Sequence, residues 1–218
     1  MKIQKLSKLA SRLLFSLTLL TLFLSGLALA EEYKAWVYTK LPDTPEGVCI
    51  DSQGTLYATL FHTNRVVKLE RDGTWMHVAW VPSERESGKG DLMGIEADKY
   101  DNLYVAYKQS SKFDNLFDPQ HAACHDVSVT KSGVYKIDGK TREVTAIATR
   151  ADGWPCCMPD DVDIDDAGNI YVSDLTYSCI WKITPDRKVT LWSAHRLLNW
   201  SNPPLFGCSP GGQCPGFG

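Results

Sequence analysis

Residues 45–57 read PEGVCIDSQGTLY, and residues 159–171 repeat the same pattern as PDDVDIDDAGNIY. A weaker copy lies between them, with MGIEAD at residues 93–98 and NLYV at residues 102–105. Each copy is followed by a short apolar segment with a Lys before its last residue: RVVKL at 65–69, GVYKI at 133–137 and CIWKI at 179–183. A β-type pattern with a period near fifty residues is typical of a radial or stacked repeat architecture.

The spacing within the copies indicates that one unit has been repeated. The first and third copies keep 17 residues between the turn Asp and the strand Lys, whereas the second copy has 38. The middle copy therefore carries an insertion of 21 residues, roughly Gln109 to Thr130.

Each unit predicts four short strands. In the first unit these are residues 48–50, 56–58, 66–69 and 75–78, which are rich in β-branched and aromatic side chains. The turns at residues 51–54, 99–102 and 165–168 supply Gly or Asn where a hairpin needs positive φ. The sequence therefore predicts an all-β fold, a β-propeller of four-stranded blades. A solenoid is the competing repeat architecture.

The first unit, from Pro45 to Leu69, resembles a blade of the SMP-30/gluconolactonase/luciferin-regenerating-enzyme family. It also resembles the NHL repeat and, more loosely, strictosidine-synthase-like propellers. The resemblance covers about residues 41 to 192. It implies the propeller architecture, but the reaction stays open because these families share blade signatures and differ in chemistry.

About three blades are expected, at residues 41–85, 86–150 and 151–195, followed by a Gly/Pro/Cys-rich terminal loop at 196–218. Propellers usually close with four to eight blades. Two interpretations remain: the sequence is part of a roughly six-bladed protein, or two half-propellers pair as a homodimer. The first is favoured.

Residues 1–30 are predicted to be a secretory signal peptide. A basic front is followed by an apolar stretch from Leu13 to Leu24 and by a small-x-small site, Ala28-Leu29-Ala30. An uncleaved N-terminal anchor is the alternative. The expected location is secreted or periplasmic, with no membrane association after cleavage.

The charge of the chain bears on its partners. The net charge is −3, and removal of the four cations of the signal peptide leaves about −7. This acidic balance argues against a nucleic-acid partner, which calls for a basic face. It suits a cation or a polar small-molecule substrate or ligand.

All seven cysteines follow the signal peptide, so disulfides are expected in an oxidising compartment. Cys208 could pair with Cys214, and Cys124 with Cys156 or Cys157. The odd number leaves one cysteine over.

Candidate site residues come from the register of the repeat. Glu46, Met93 and Asp160 occupy equivalent positions just ahead of the first strand of each unit. The family resemblance implies a metal held by Glu and Asn/Asp side chains at such positions, and Glu46 and Asp160 match best. The oxygen ligands favour a divalent metal, with calcium ahead of zinc. Asp161 and Asp174 are the candidate catalytic carboxylates. Capping of a turn is the simpler interpretation of Asp160 and Asp161.

The insertion contains His121-Ala122-Ala123-Cys124-His125-Asp126. His and Cys at this spacing are able to bind a transition metal. A disulfide from Cys124, or a lid over the site, is the favoured interpretation.

Three functions are compatible with these observations. The first is an exported, metal-dependent lactone or ester hydrolase, in which the metal polarises the carbonyl. The second is a non-catalytic, NHL-like propeller that binds a small molecule or a partner protein. The third is a lyase or synthase of the strictosidine-synthase kind.

Overall fold

The computed structural model describes residues 34–82, 90–109, 131–151, 154–155, 158–175 and 177–194. These residues form three four-stranded antiparallel sheets and contain no helix. Several predicted features lie outside the described residues. They are the signal peptide, most of the insertion, the terminal loop, and Cys124 and Cys208 with their proposed disulfide partners.

Each sheet is built by strands that pair in chain order. The first blade contains β1 (Pro45–Ile50), β2 (Leu56–Leu60), β3 (Arg65–Leu69) and β4 (Trp75–Trp80). The second contains β5 (Gly90–Ala97), β6 (Leu103–Gln109), β7 (Gly133–Ile137) and β8 (Val144–Ala148). A short pair, β9 (Arg150–Ala151) and β10 (Trp154–Pro155), precedes the third blade. The third contains β11 (Pro159–Ile164), β12 (Ile170–Asp174), β13 (Cys179–Ile183) and β14 (Val189–Ala194).

The first turn of every blade is held by its Asp. The Oδ1 atom of Asp51 accepts the backbone N–H of Gln53 and of Thr55, at 2.9 and 2.8 Å. Such Asx turns offer the backbone a local partner in place of the ladder. The hydroxyl of Tyr57 also donates to Asp51 Oδ2, at 3.2 Å. The same Asp–Tyr pair recurs in the other two blades.

The predicted positive φ angles fall on Gly54 (76°) and Gly168 (82°). In the middle blade, however, the left-handed residue is Asp101 (65°) and not Asn102. Asp101 occupies the same turn position as the two glycines, and Asp tolerates this conformation better than most residues. The side chain of Asn102 instead donates to Asp98 Oδ2 at 2.8 Å.

Apolar side chains between adjacent sheets form the core. One cluster joins the first and second blades, and its buried members are Cys49, Tyr57, Val66, Ala79, Val81, Leu92, Ile95, Leu103, Val105, Tyr107, Tyr135 and Ile137. A second cluster joins the second and third blades: Met93, Ala106, Val134, Ala148, Val162, Ile170, Val172, Cys179, Trp181 and Ile183. Burial of apolar surface between the sheets therefore fixes each blade to its neighbour.

Antiparallel pairing gives the sheets two distinct ends. We call the end where β1, β5 and β11 begin the mouth, and the end that carries the turns at residues 51–55, 98–102 and 165–169 the turn end. Strand β6 ends, and strand β7 begins, at the mouth.

No helix in the described ranges is long and apolar enough to cross a bilayer.

Cys49 is a buried thiol, and burial, followed by the charges of Glu96 and Asp51, raises its pKa to about 12. This thiol therefore stays protonated and packs as a small apolar group.

Candidate functional site

A β-bulge lies at the same place in the first strand of every blade. The pairing of β1 with β2 shifts between Pro45 and Val48, and the pairings of β5 with β6 and of β11 with β12 shift at the equivalent positions. At each shift, two residues of the first strand oppose one residue of the second. Bulges of this kind re-aim side chains and are frequent beside active sites.

The bulged residues are the positions at which the sequence places its candidate site. They are Glu46-Gly47, Met93-Gly94 and Asp160-Asp161. The predicted metal ligands Glu46 and Asp160 therefore occupy the same position in two different blades, close to the mouth.

The three bulges pack closely against one another. A Cβ atom built on Gly47 would lie 2.9 Å from Gly94 Cα. One built on Gly94 would overlap Asp161 Oδ1 and lie 2.8 Å from Asp161 Cα. The missing side chains at the two glycines are thus what allows the three strand starts to meet. Asp161 lies directly against the bulge of the second blade.

A buried hydroxyl links the first two bulges. Thr59 Oγ1 accepts the N–H of Gly47 at 2.8 Å and donates to the carbonyl oxygen of Met93 at 2.7 Å. In the third blade the equivalent residue, Ser173, accepts the N–H of Asp161 at 3.0 Å. These hydroxyls satisfy backbone groups that the bulges remove from the ladder.

The convergence of carboxylates perturbs their acidity. Loss of solvent around the Glu46 carboxyl, together with the negative charges of Asp160 and Asp161, raises the pKa of Glu46 to about 7. Glu46 keeps exposed surface, so the repulsion from two neighbouring acids is the better supported of these causes. Burial, and then the charge of Asp161, raises the pKa of Asp160 as well.

None of these three carboxylates forms an ion pair with a described residue. One oxygen of Asp161, Oδ1, accepts the N–H of Val162 at 2.9 Å, and the residue is exposed. Among the residues that the structure describes, the cluster is therefore a concentration of negative charge without a counter-ion at the mouth.

Asp174, the second predicted catalytic carboxylate, lies in a different environment. It is only 1% exposed, and its Oδ1 atom accepts the N–H of Met158 and of Tyr177, each at 3.3 Å. These contacts tie the start of β11 to the loop after β12. This arrangement suits a structural carboxylate that holds the rim of the mouth.

The carboxylates at the mouth have the chemistry that a divalent cation needs, but they supply fewer ligands than a full coordination shell requires. Carboxylate oxygens are hard ligands, and a cation would offset the repulsion that raises the pKa of Glu46. Calcium takes six to eight oxygen ligands. Within the described ranges, however, no group of three or more His, Cys, Asp or Glu side chains is arranged to hold a metal. Glu46 and Asp160 would supply part of a coordination shell.

Sequence reasoning did not identify a charged pair at the same end of the second blade. Lys108 Nζ lies 3.4 Å from Asp91 Oδ2, and the Lys108 side chain is only 5% exposed. The two residues face each other across β5 and β6. The sequence shows only that Asp91 and Lys108 are charged. That they pair follows from the register of β5 and β6, which the sequence does not reveal.

Comparison with solved structures supports the architecture. A gluconolactonase from Xanthomonas campestris aligns with a TM-score of 0.52 at 14% identity, over 72% of this chain and 50% of that chain. The fold is a β-propeller. A streptogramin B lyase aligns with a TM-score of 0.49 at 15% identity, over 71% of this chain and 42% of that chain. A virginiamycin B lyase from Staphylococcus aureus gives 0.47 at 14% identity, over 71% and 44%.

At 14% identity the similarity shows the fold alone. The chain spans half or less of the length of these structures. No protein-family model matches the sequence, and no curated protein matches it.

Proposed function

We propose that this protein is an exported hydrolase of lactones or esters that works with a divalent cation at the mouth, with calcium ahead of zinc. The observation that carries the proposal is the convergence of Glu46, Asp160 and Asp161 at bulged strand starts, where their charges lack a described counter-ion. Perturbed carboxylates at the mouth of a rigid scaffold are a common feature of catalytic sites.

Each carboxylate has a distinct role in this proposal. Glu46 and Asp160 hold the cation, which when bound supplies a Lewis acid that polarises the substrate carbonyl. Asp161 is exposed and has one oxygen, Oδ2, outside its bond to Val162, so it is placed to accept a proton from a water molecule. Asp174 keeps the rim in place through its backbone contacts.

A binding function without catalysis is the second candidate. It is favoured by the small number of ligands in the described residues, where no metal-binding group of three or more such side chains occurs. An acidic mouth with two or three carboxylates would also bind an organic cation, which needs no complete coordination shell.

The deciding experiment combines cation binding with turnover. Calcium titrated into the metal-free protein should raise the melting temperature, and a panel of simple lactones should be hydrolysed only in its presence. Both effects should be lost in Glu46→Gln and Asp160→Asn, because each variant removes one anionic ligand. Asp161→Asn should keep the calcium-induced shift but lose turnover.

Glu143→Gln is the matched control. Glu143 is exposed and lies in the turn between β7 and β8, at the turn end of the sheet and away from the mouth. It should behave as the wild type. Turnover that survives both Glu46→Gln and Asp160→Asn would refute the site. Calcium binding without turnover of any lactone would favour the binding function.

A further inference from the structure

A cavity lies between the second and third blades at the turn end, remote from the mouth. Its volume is about 420 Å³, which is within the usual range for small-molecule sites. One wall is the β5–β6 turn and strand β7, and the other is formed by the two turns of the third blade.

The lining of this cavity is strongly cationic. Lys99 and Lys136 of the second blade and Arg187 of the third contribute three positive charges. Within the described part of the chain, none of the three forms a salt bridge. Lys99 Nζ donates to the carbonyl oxygen of Asp166 at 3.3 Å, which holds the ammonium group beside the third blade.

The one carboxylate in the lining, Asp98, is already engaged. Its Oδ1 atom accepts the N–H of Tyr100 and of Asn102, at 2.8 and 2.9 Å. Its Oδ2 atom accepts the side-chain amide of Asn102 at 2.8 Å and the hydroxyl of Tyr104 at 3.3 Å. A carboxylate offers about four acceptor positions, so Asp98 has none left for the cations around it.

The equivalent cleft between the first and second blades has a different set of charges. Arg142 (φ 64°) holds there the turn position that Arg187 (φ 65°) holds in the next blade. Each arginine acts on a tyrosine hydroxyl through its charge, Arg142 on Tyr57 and Arg187 on Tyr104. The position of Lys99 is taken in the first blade by Ser52, which carries no charge.

The lysines on the third strands of the two blades also differ. Lys68 Nζ pairs with Glu70 Oε1 at 3.0 Å. Asp138 follows Lys136 at the same spacing, but its Oδ1 atom accepts the N–H of Lys140 and of Thr141, both at 2.9 Å. Lys136 acts on Asp138 through its charge, but within the described residues it lacks the close ion pair that Lys68 forms.

We propose that the cavity between the second and third blades binds a small phosphate-bearing molecule, with Arg187, Lys136 and Lys99 around the phosphate. A guanidinium and two ammonium groups match the tetrahedral dianion, and Arg offers it two parallel N–H donors. The cavity is larger than a phosphate ion needs, so the ligand is an organic phosphate with room for a sugar-sized group. This site is independent of the function proposed for the mouth.

The test is a calorimetric titration at constant ionic strength with glucose 6-phosphate, inorganic phosphate and uncharged glucose. Glucose 6-phosphate should bind saturably, inorganic phosphate more weakly, and glucose should not bind. Arg187→Gln and Lys136→Gln should each weaken binding by about tenfold or more, because each removes a charge-assisted hydrogen bond.

Arg142→Gln is the matched control, since Arg142 holds the same turn position in the other cleft, between the first and second blades. It should bind like the wild type. The melting temperature of each ligand-free variant shows whether it is folded, and Lys136→Gln provides the test if Arg187→Gln is not. Equal binding of glucose, unchanged affinity in both cleft variants, or no saturable binding would overturn the proposal. Equal affinities for the two phosphates would support the site but limit its ligand to the phosphate group.

Discussion

At the scale of single residues, the turn aspartates show how one side chain organises a blade. Asp165 Oδ1 accepts the N–H of Asn169 at 2.8 Å, and its Oδ2 atom accepts the Asn169 amide and the Tyr171 hydroxyl. The hydrogen bonds from Asn169 are the main cause that lowers the pKa of Asp165 below its usual 3.8. The ionised carboxylate is thus the form that the folded state binds more tightly.

The pH dependence of stability follows from this shift. Because the pKa is lower in the folded state, the stabilisation by Asp165 is fully present above pH 3.8 and is lost as the pH falls through the folded-state pKa. Asp165→Ala should therefore melt at a lower temperature than the wild type at pH 6, and the difference should shrink below pH 4. Thermal melts between pH 2 and pH 6 measure this.

The neighbouring Asp166 is the control. It is exposed, and its side chain takes part in no described hydrogen bond. Asp166→Ala should change the melting temperature little at any pH. A difference between Asp165→Ala and the wild type that stays constant down to pH 2 would contradict the assigned role.

At the scale of elements, the site depends on three bulged strands that approach one another without side chains between them. Gly94 is the central contact, because a Cβ atom there would lie 2.8 Å from Asp161 Cα and 3.0 Å from the Asp160 carbonyl oxygen. Backbone atoms cannot yield as the end of a flexible side chain does. The bulge of the second blade therefore also determines where Asp161 lies.

Gly94→Ala should destabilise the fold by about 1–3 kcal/mol, the usual cost of overpacking a close contact. Urea unfolding measures the free energy, and the calcium-induced rise in melting temperature reports whether the mouth is displaced. Gly54→Asn is the control, because a Cβ atom at Gly54 meets nothing within 4 Å and Asn tolerates its φ of 76°. Equal stabilities of the two variants would show that the strands are free to separate.

At the scale of the whole molecule, the clusters between blades supply the cohesion. Trp181 is among the largest fully buried side chains, at 1% exposure, and lies in the cluster that joins the second and third blades. Trp192, on the neighbouring strand β14, is 58% exposed. Substitutions of the two tryptophans therefore test whether packing between the blades stabilises the fold beyond the pairing of strands within each sheet.

Trp181→Ala should lower the free energy of unfolding by about 3–5 kcal/mol, because it removes buried surface and leaves a cavity. Trp192→Ala should cost less than about 1 kcal/mol, as expected for an exposed position. Urea titrations followed by circular dichroism give both values. Similar losses for the two variants would mean that the cluster between the blades contributes little beyond each sheet.

Much of the fold could be predicted from local patterns. The propeller class is confirmed, and the first strand of the first blade was expected at residues 48–50 and runs from Pro45 to Ile50. Strands and turns are readable because alternation, β-branched residues and turn glycines act over a few neighbouring positions. The bulges could not be predicted, because a bulge is a relation between two strands and a single strand does not reveal its register.

The sequence by itself determined the repeat, the four strands in each blade, and the equivalence of Glu46 with Asp160. Only the tertiary structure decided that Asp161 lies against Gly94, and that Asp174 is buried under backbone contacts. It also decided that Lys99, Lys136 and Arg187 line one cavity between the second and third blades. The physical reason is that burial, charge repulsion and steric contact depend on distances between blades. Residues far apart in the chain set these distances together, and no local pattern encodes them.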